Sequence, residues 1–232
     1  MKITIHFLAI IITITAHTNA QTYTTDFSLT ENPISGNGRW KNGGNTGLDW
    51  NNVRTISGIA CGTQTGVDTG ARRYNDSYAI LSGFPPDQMA EGVVHFVNPL
   101  STRNQEVEIL LRWSSTAHSA QGYECLARCI NSADSYMEIV RWNGPLGDFT
   151  YIAKMHSSSA GINDGDTIKA TIIGNLISFY RNGILKLQCT DNTYSTGNPG
   201  VGFFLQGCKG TNTDYGFTSF RAAGILPSKT LR

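Results

Sequence analysis

From residue 164 to residue 206 the chain alternates apolar and polar positions in short runs that glycine and asparagine interrupt. Ile168, Ala170 and Ile172 alternate with Thr167, Lys169 and Thr171, the two-residue period of a strand with one face buried. Gly174-Asn175 then reverses the chain, and Leu176 to Tyr180 runs back. Arg181-Asn182-Gly183 turns it again, and Ile184, Lys186 and Gln188 alternate with Leu185, Leu187 and Cys189. Two tight turns in succession predict a three-stranded meander, closed by the cluster Gly197-Asn198-Pro199-Gly200 and the apolar run Val201 to Leu205.

The same reading predicts strands near 23–29, 53–61, 76–82, 90–98, 105–114, 121–131, 135–142, 149–155, 166–173, 176–181, 184–190, 200–206 and 214–221. No stretch carries helical periodicity and no internal repeat is evident. Many short strands without intervening helices predict an all-β fold, a two-sheet antiparallel jelly-roll sandwich. The longest irregular stretch runs from Gly36 to Asn52 with Trp40 and Trp50 at its ends, and a second spans Thr63 to Asn75.

Three strands hold most of the interesting charge. In 105–113 the period places Val107, Ile109, Leu111 and Trp113 on one face and Glu106, Glu108, Leu110 and Arg112 on the other. In 123–129 the polar face is Glu124, Leu126 and Arg128. In 135–142 Tyr136, Glu138, Val140 and Trp142 share a face, opposite Met137, Ile139 and Arg141. If these strands are antiparallel neighbours, Glu108, Arg112, Glu124, Arg128 and Glu138 form a ladder across one sheet. Such a ladder is either a sugar-binding surface, with carboxylates and guanidinium groups bonding hydroxyls while Tyr136 or Trp142 stacks on a pyranose, or a set of weak cross-strand ion pairs in solvent.

The N-terminus changes the picture of where this sandwich works. Lys2, an apolar run from Phe7 to Ile14 and Thr18-Asn19-Ala20 before Gln21 read as a cleaved secretory signal over residues 1–20, the apolar run being too short for a membrane span. The expectation is a secreted or periplasmic monomer without a membrane anchor, one domain over residues 21–221 and a tail over 222–232. Eighteen Lys and Arg against 17 Asp and Glu leave a net charge of +1 with no basic cluster, which argues against a nucleic-acid partner.

Five cysteines, Cys61, Cys125, Cys129, Cys189 and Cys208, leave at least one thiol unpaired within the chain. On one strand Cys125 and Cys129 stand roughly 13 Å apart, beyond the reach of a disulfide at about 7 Å. They share a face with Tyr123 and Ala127, and no second Cys or His pair stands at zinc spacing.

The meander of 164–206 resembles the concanavalin A-like lectin/glucanase superfamily. The stretches 38–55, 77–95, 136–153 and 214–220 extend the likeness to a family of secreted bacterial proteins of that fold, mostly without assigned function. The resemblance implies a glycan or polysaccharide partner on a concave sheet face, and the face assignment of the three charged strands gives Glu108, Arg112, Glu124, Arg128, Glu138 and Trp142 as its contacts. The resemblance also implies a structural calcium ion held by Asp214, at the start of the last strand, with Asp26. The laminarinase-like members carry a compact E-x-D-x-x-E strand, which this chain lacks. His95 has no Gln two residues before it, as the alginate lyases have, and there is no nucleophile elbow or phosphate loop. No catalytic residue is assigned. A lectin-like binding domain leads, with a glycoside hydrolase or polysaccharide lyase as alternative and an adhesive surface protein as a third class.

Overall fold

The computed structural model describes residues 20–44, 50–66, 76–207 and 211–226. Among these residues fifteen strands form two antiparallel sheets, and the fold is the two-sheet jelly-roll sandwich of the concanavalin A-like class. The eight-stranded sheet has the order β13 (Ile184–Thr190), β12 (Leu176–Arg181), β11 (Thr167–Ile173), β6 (Gln88–Phe96), β15 (Tyr215–Gly224), β4 (Ile59–Cys61) and β3 (Arg54–Ile56), and β1 (Thr22–Thr25) also pairs with β15. The seven-stranded sheet has the order β10 (Phe149–His156), β9 (Tyr136–Gly144), β8 (Ser119–Arg128), β7 (Asn104–Thr116), β14 (Asn198–Gln206), β5 (Ser77–Ile80) and β2 (Lys41–Asn42).

Alternation decides which side chains enter the sandwich. Val107, Ile109 and Leu111 of β7, Tyr123, Cys125 and Ala127 of β8 and Met137 and Ile139 of β9 point into one core. Ile168, Ala170 and Ile172 of β11 and Ile177 and Phe179 of β12 belong to the same core. The meander β11–β12–β13 stands as read, with Gly174 at φ +58° and Gly183 at φ +77° in its turns. A second cluster lies on the other side of the seven-stranded sheet: Trp50, Tyr78, Ile80, Leu110, Trp113, Leu126, Val140 and Trp142.

Some boundaries differ from the sequence reading. The predicted strand 53–61 is a hairpin, β3 and β4, folded at Ser57-Gly58. The last strand runs on to Gly224, where Ala222 is fully buried and pairs with Tyr23 and Ala90, so the tail starts later than residue 222. Residues 1–19 of the predicted signal, 45–49 and 67–75 of the two long loops, Cys208 and the tail from 227 lie outside the described residues. No helix among the described residues is long and apolar enough to cross a membrane.

Four cysteines are free thiols, and Cys125 and Cys129 sit unpaired in the core as the strand reading requires. Burial pushes the Cys125 and Cys129 thiols well above their ordinary value.

The order β10-β9-β8-β7-β14-β5 sets the stage for chemistry. It places the three charged strands side by side, and brings the start of β5 to them across a single intervening strand, β14.

Candidate functional site

Register aligns the polar residues of the three strands. Glu106 lies opposite Arg128, Glu108 opposite Leu126 and Leu110 opposite Glu124, while Leu126 faces Glu138 and Glu124 faces Val140 on β9. Glu106, Glu108, Glu124, Arg128 and Glu138 therefore share the sheet face that points away from the main core, as the alternation predicts. Asp76, immediately before β5, joins them.

Arg112 does not. Its φ of +47° and the register shift between Leu111 and Ser114 break the alternation, so Trp113 turns to the outer face and Arg112 leaves it. The Arg112 guanidinium instead donates to the carbonyls of Pro86 at 2.8 Å, Tyr194 at 3.0 Å and Gly174 at 2.8 Å. These acceptors lie in loops and a turn around the eight-stranded sheet, so Arg112 ties the two sheets together and is not a ladder member.

The solvated ion-pair picture is also overturned. Glu108 is 1 % exposed, Glu124 4 %, Asp76 and Glu138 6 % and Glu106 7 %. Arg128 stands at one end of the patch, its guanidinium 5.6 Å over the Tyr136 ring and donating to the carbonyls of Ser101, Arg103 and Asp134. Five carboxyl groups thus share a desolvated surface with that one arginine at its edge.

Burial has the expected electrostatic effect. Desolvation pushes Glu106 up to about 7, with the Glu138 carboxylate adding to it, while a hydrogen bond from Tyr136 and the charge of Arg128 pull the other way. Glu124 is pushed up to about 8, first by burial and then by Glu106 and Glu138, against a hydrogen bond donated by the Trp142 indole N–H. Asp76 and Glu108 are raised well above the ordinary carboxylate range by burial and by the neighbouring carboxylates.

Asp76, Glu106, Glu124 and Glu138, but not Glu108, open on a cavity of about 280 Å³ walled by Tyr136, Trp142, Phe149, Tyr151, His156 and Gln206 among others. At its mouth His156 Nε2 lies 2.6 Å from Glu138 Oε1, with the His side chain 55 % exposed. His156 reads from the sequence as a solvated turn residue. It is the last residue of β10, in register with Tyr136, which is what delivers it to the pocket. Asp76 carries no sequence signal for the site, whereas Glu106 was legible from its two-residue spacing to Glu108.

Trp142 lines the cavity but is only 2 % exposed, wedged between Trp50 at 5.4 Å, Phe149 at 5.2 Å and Trp113 at 6.4 Å between ring centroids. It offers no free ring face for stacking. Tyr151, 43 % exposed and edge-on to Phe149 at 5.2 Å, is the most exposed of the Tyr, Trp and Phe side chains on the cavity wall, with the Lys154 ammonium 3.2 Å over its ring centroid.

The residues proposed for calcium from the family resemblance stand apart. Thr25 pairs with Phe220, which sets Asp26 about five residues, or roughly 16 Å along β15, from Asp214. Asp26 accepts from the Ser28 amide, and Asp214 is ion-paired with Arg103 at 3.4 Å. The two do not form one ion site. His95, paired with Asp164 at 3.1 Å, lies in the other sheet, far from the carboxylates in the fold.

No family model and no curated protein matches the chain. Solved structures resemble it in fold. The carbohydrate-binding module CBM66 from Bacillus subtilis has a TM-score of 0.51 at 13 % identity, over 80 % of this chain and 92 % of its own. The carbohydrate recognition domain of Emp46p in its potassium-bound form gives 0.51 at 11 % identity, over 81 % and 90 %. The GH43 protein BlXynB from Bacillus licheniformis gives 0.54 at 14 % identity, over 87 % of this chain but only 39 % of that protein. At these identities the likeness establishes the sandwich architecture, one that carbohydrate-binding modules, lectin-type domains and glycoside hydrolases share.

Proposed function

We propose that this protein binds a glycan in the carboxylate cavity on the outer face of the seven-stranded sheet. The observation that carries the reading is the composition of that cavity: hydrogen-bonding carboxyl, amide and imidazole groups set against aromatic walls at Phe149 and Tyr151. A sugar presents the matching pair of surfaces, hydroxyls around its rim and an apolar ring face. About 280 Å³ lies at the small end of ligand cavities, near the roughly 300 Å³ where drug-sized sites begin, and suits one sugar residue better than a polymer segment. The neighbouring architectures support the same class of ligand.

A second reading, a glycoside-cleaving enzyme, is favoured by the protonation of the buried acids. Glu124, pushed up to about 8, would hold a proton to donate at neutral pH, and Glu106, pushed up to about 7, would be divided between acid and base forms, beside Glu138 and His156. The two readings separate in one experiment. The purified protein is titrated with mono- and oligosaccharides while tryptophan fluorescence is followed, and the same mixtures are assayed for new reducing ends and for unsaturated uronic products. Saturable binding without product supports the binding domain, product supports the enzyme, and neither response to any sugar rejects both.

A further inference from the structure

The geometry points to a binding site for a hard divalent cation, calcium or magnesium, formed by Asp76, Glu108 and Glu124 beneath the sugar cavity. Three separate chain segments supply these residues: the position just before β5, the middle of β7 and the middle of β8. Each offers a carboxylate oxygen, and all three oxygens lie within 4.8 Å of one another. Calcium–oxygen distances of about 2.3–2.6 Å span ligand oxygens up to about 5 Å apart around one ion, whereas magnesium–oxygen distances of about 2.0–2.1 Å span only about 4 Å, so magnesium needs the three oxygens drawn closer than calcium does.

A group of acids alone would not make a site. Here Glu108 is 1 % exposed, reaches the other two carboxylates, and has an Oε1 with no hydrogen-bond partner. A buried carboxylate oxygen without a donor is the costly arrangement that a coordinated cation removes. The backbone makes room for it: Gly202, the cross-strand partner of Glu108 on β14, has no side chain, and a Cβ there would collide with Oε2 of Glu108. Glu124 is oriented from behind by the indole N–H of Trp142, which engages Oε2 and leaves its other oxygen for an ion.

The donor set chooses the metal class. Three carboxylates without sulfur or imidazole suit oxygen-seeking ions such as calcium, magnesium or manganese, and do not select zinc or copper. The site stands on this geometry independently of the glycan reading. Asp76 and Glu124 are common to both, so an ion there would meet a sugar hydroxyl at the cavity floor.

The test uses the full chain, stripped with a chelator and dialysed into metal-free buffer without sugar. Calcium chloride and magnesium chloride are titrated separately by calorimetry and by thermal melting. One of them is expected to bind with saturable heat near one equivalent and to raise the melting temperature by several degrees. Glu108→Gln is expected to melt higher than the wild type without metal, because one of the crowded carboxylates is gone, and to lose the metal-dependent rise. Gly202→Ala, which keeps all three acids but displaces Glu108, is expected to weaken binding at least tenfold. No heat and no shift with either metal overturns the site, as does an undiminished response in Glu108→Gln. Because no sugar is present, a failure here leaves the glycan titration to succeed or fail separately.

Discussion

The carboxylate of Glu108 occupies the space that a Cβ on Gly202 would take, with Gly202 and Glu108 directly opposed across β14 and β7. The Gly202 φ is an ordinary extended one, so glycine is needed there for space and not for conformation. A strand interior gains nothing from glycine, which weakens it by roughly 0.5–1 kcal/mol relative to alanine. What the position gains is a buried acid folded flat against the sheet, next to Asp76 and Glu124.

Gly202→Ala should therefore destabilise the protein by about 1–3 kcal/mol, the usual cost of overpacking, in spite of alanine's better strand propensity. The cost should depend on Glu108. In a double-mutant cycle with Glu108→Ala, urea unfolding should show a coupling of about 0.5–3 kcal/mol, because removing the carboxylate frees the space. Additive effects of the two substitutions would mean that they do not meet.

Gly183 tests the meander in the opposite way. At φ +77° it has open space around its missing Cβ, so any penalty comes from the backbone alone. Gly183→Val should cost more than about 1 kcal/mol, since a β-branched residue resists the left-handed region. Gly183→Asn should cost less, because asparagine tolerates that region. Equal melting temperatures for the two variants would remove the argument.

How far the site was legible follows from where alternation holds. From Tyr123 to Cys129 and from Tyr136 to Trp142 the two-residue period is unbroken, and every face assigned to β8 and β9 is the one observed. In β7 the period carries only to Leu111. Arg112 then takes a left-handed conformation opposite the irregular Asn198–Gly200 stretch of β14, and a bulge fixed by a strand so distant in the chain leaves no local trace. Asp76 and His156 were missed for a related reason. Their place in the cavity is set by strand order and register, β5 beyond β14 and β10 beside β9, which one strand's pattern does not encode. The depth of burial was also illegible, because the outer face of the sheet is covered by Trp50 and Tyr78, which lie outside the charged strands.

Asp191 gives the pH dependence. Its carboxylate is desolvated, which alone would raise it, yet it lies below the ordinary range because stronger effects oppose burial. Thr193 donates its backbone N–H at 2.8 Å, Tyr123 its hydroxyl at 2.8 Å and Arg141 its guanidinium at 2.6 Å. A depressed folded-state value means stability that is complete above the unfolded aspartate range, near 3.9, and is lost as pH falls through the folded value. Asp191→Ala should cost on the order of 2 kcal/mol at pH 7, as loss of charge-assisted bonds does. In thermal melts the gap between wild type and variant should narrow below about pH 4. A gap that stays constant to strong acid would show that the carboxylate charge is not what matters.

The buried thiols should be chemically silent. Burial raises Cys61, Cys125 and Cys129, and a thiol that stays protonated and enclosed does not react. Alkylation of the native protein should leave these three unlabelled, and labelling in denaturant should reveal them, with no peptide joining Cys125 to Cys129 by mass mapping. A native-state label on Cys125 would contradict its place in the core.

The walls of the cavity separate structure from recognition, and they reverse the weight that the sequence puts on Trp142. That ring is packed against three aromatic neighbours and donates to Glu124, so Trp142→Ala should cost about 3–5 kcal/mol of stability, the range for emptying a buried aromatic site. Loss of sugar binding in that variant would then report unfolding as much as recognition. Tyr151 is the cleaner probe, because at 43 % exposure its removal empties no core. Tyr151→Ala should melt within about 0.5 kcal/mol of the wild type, as exposed substitutions do, and weaken binding of any sugar identified by titration by about tenfold or more, since aromatic anchors dominate such sites. Glu138→Gln keeps the shape of the side chain while replacing the carboxylate that faces His156 at 2.6 Å with an amide, and should weaken binding with a smaller effect on folding. A sugar that binds both variants as tightly as the wild type lies outside this cavity, and the site would have to move to another face while the sandwich assignment stands.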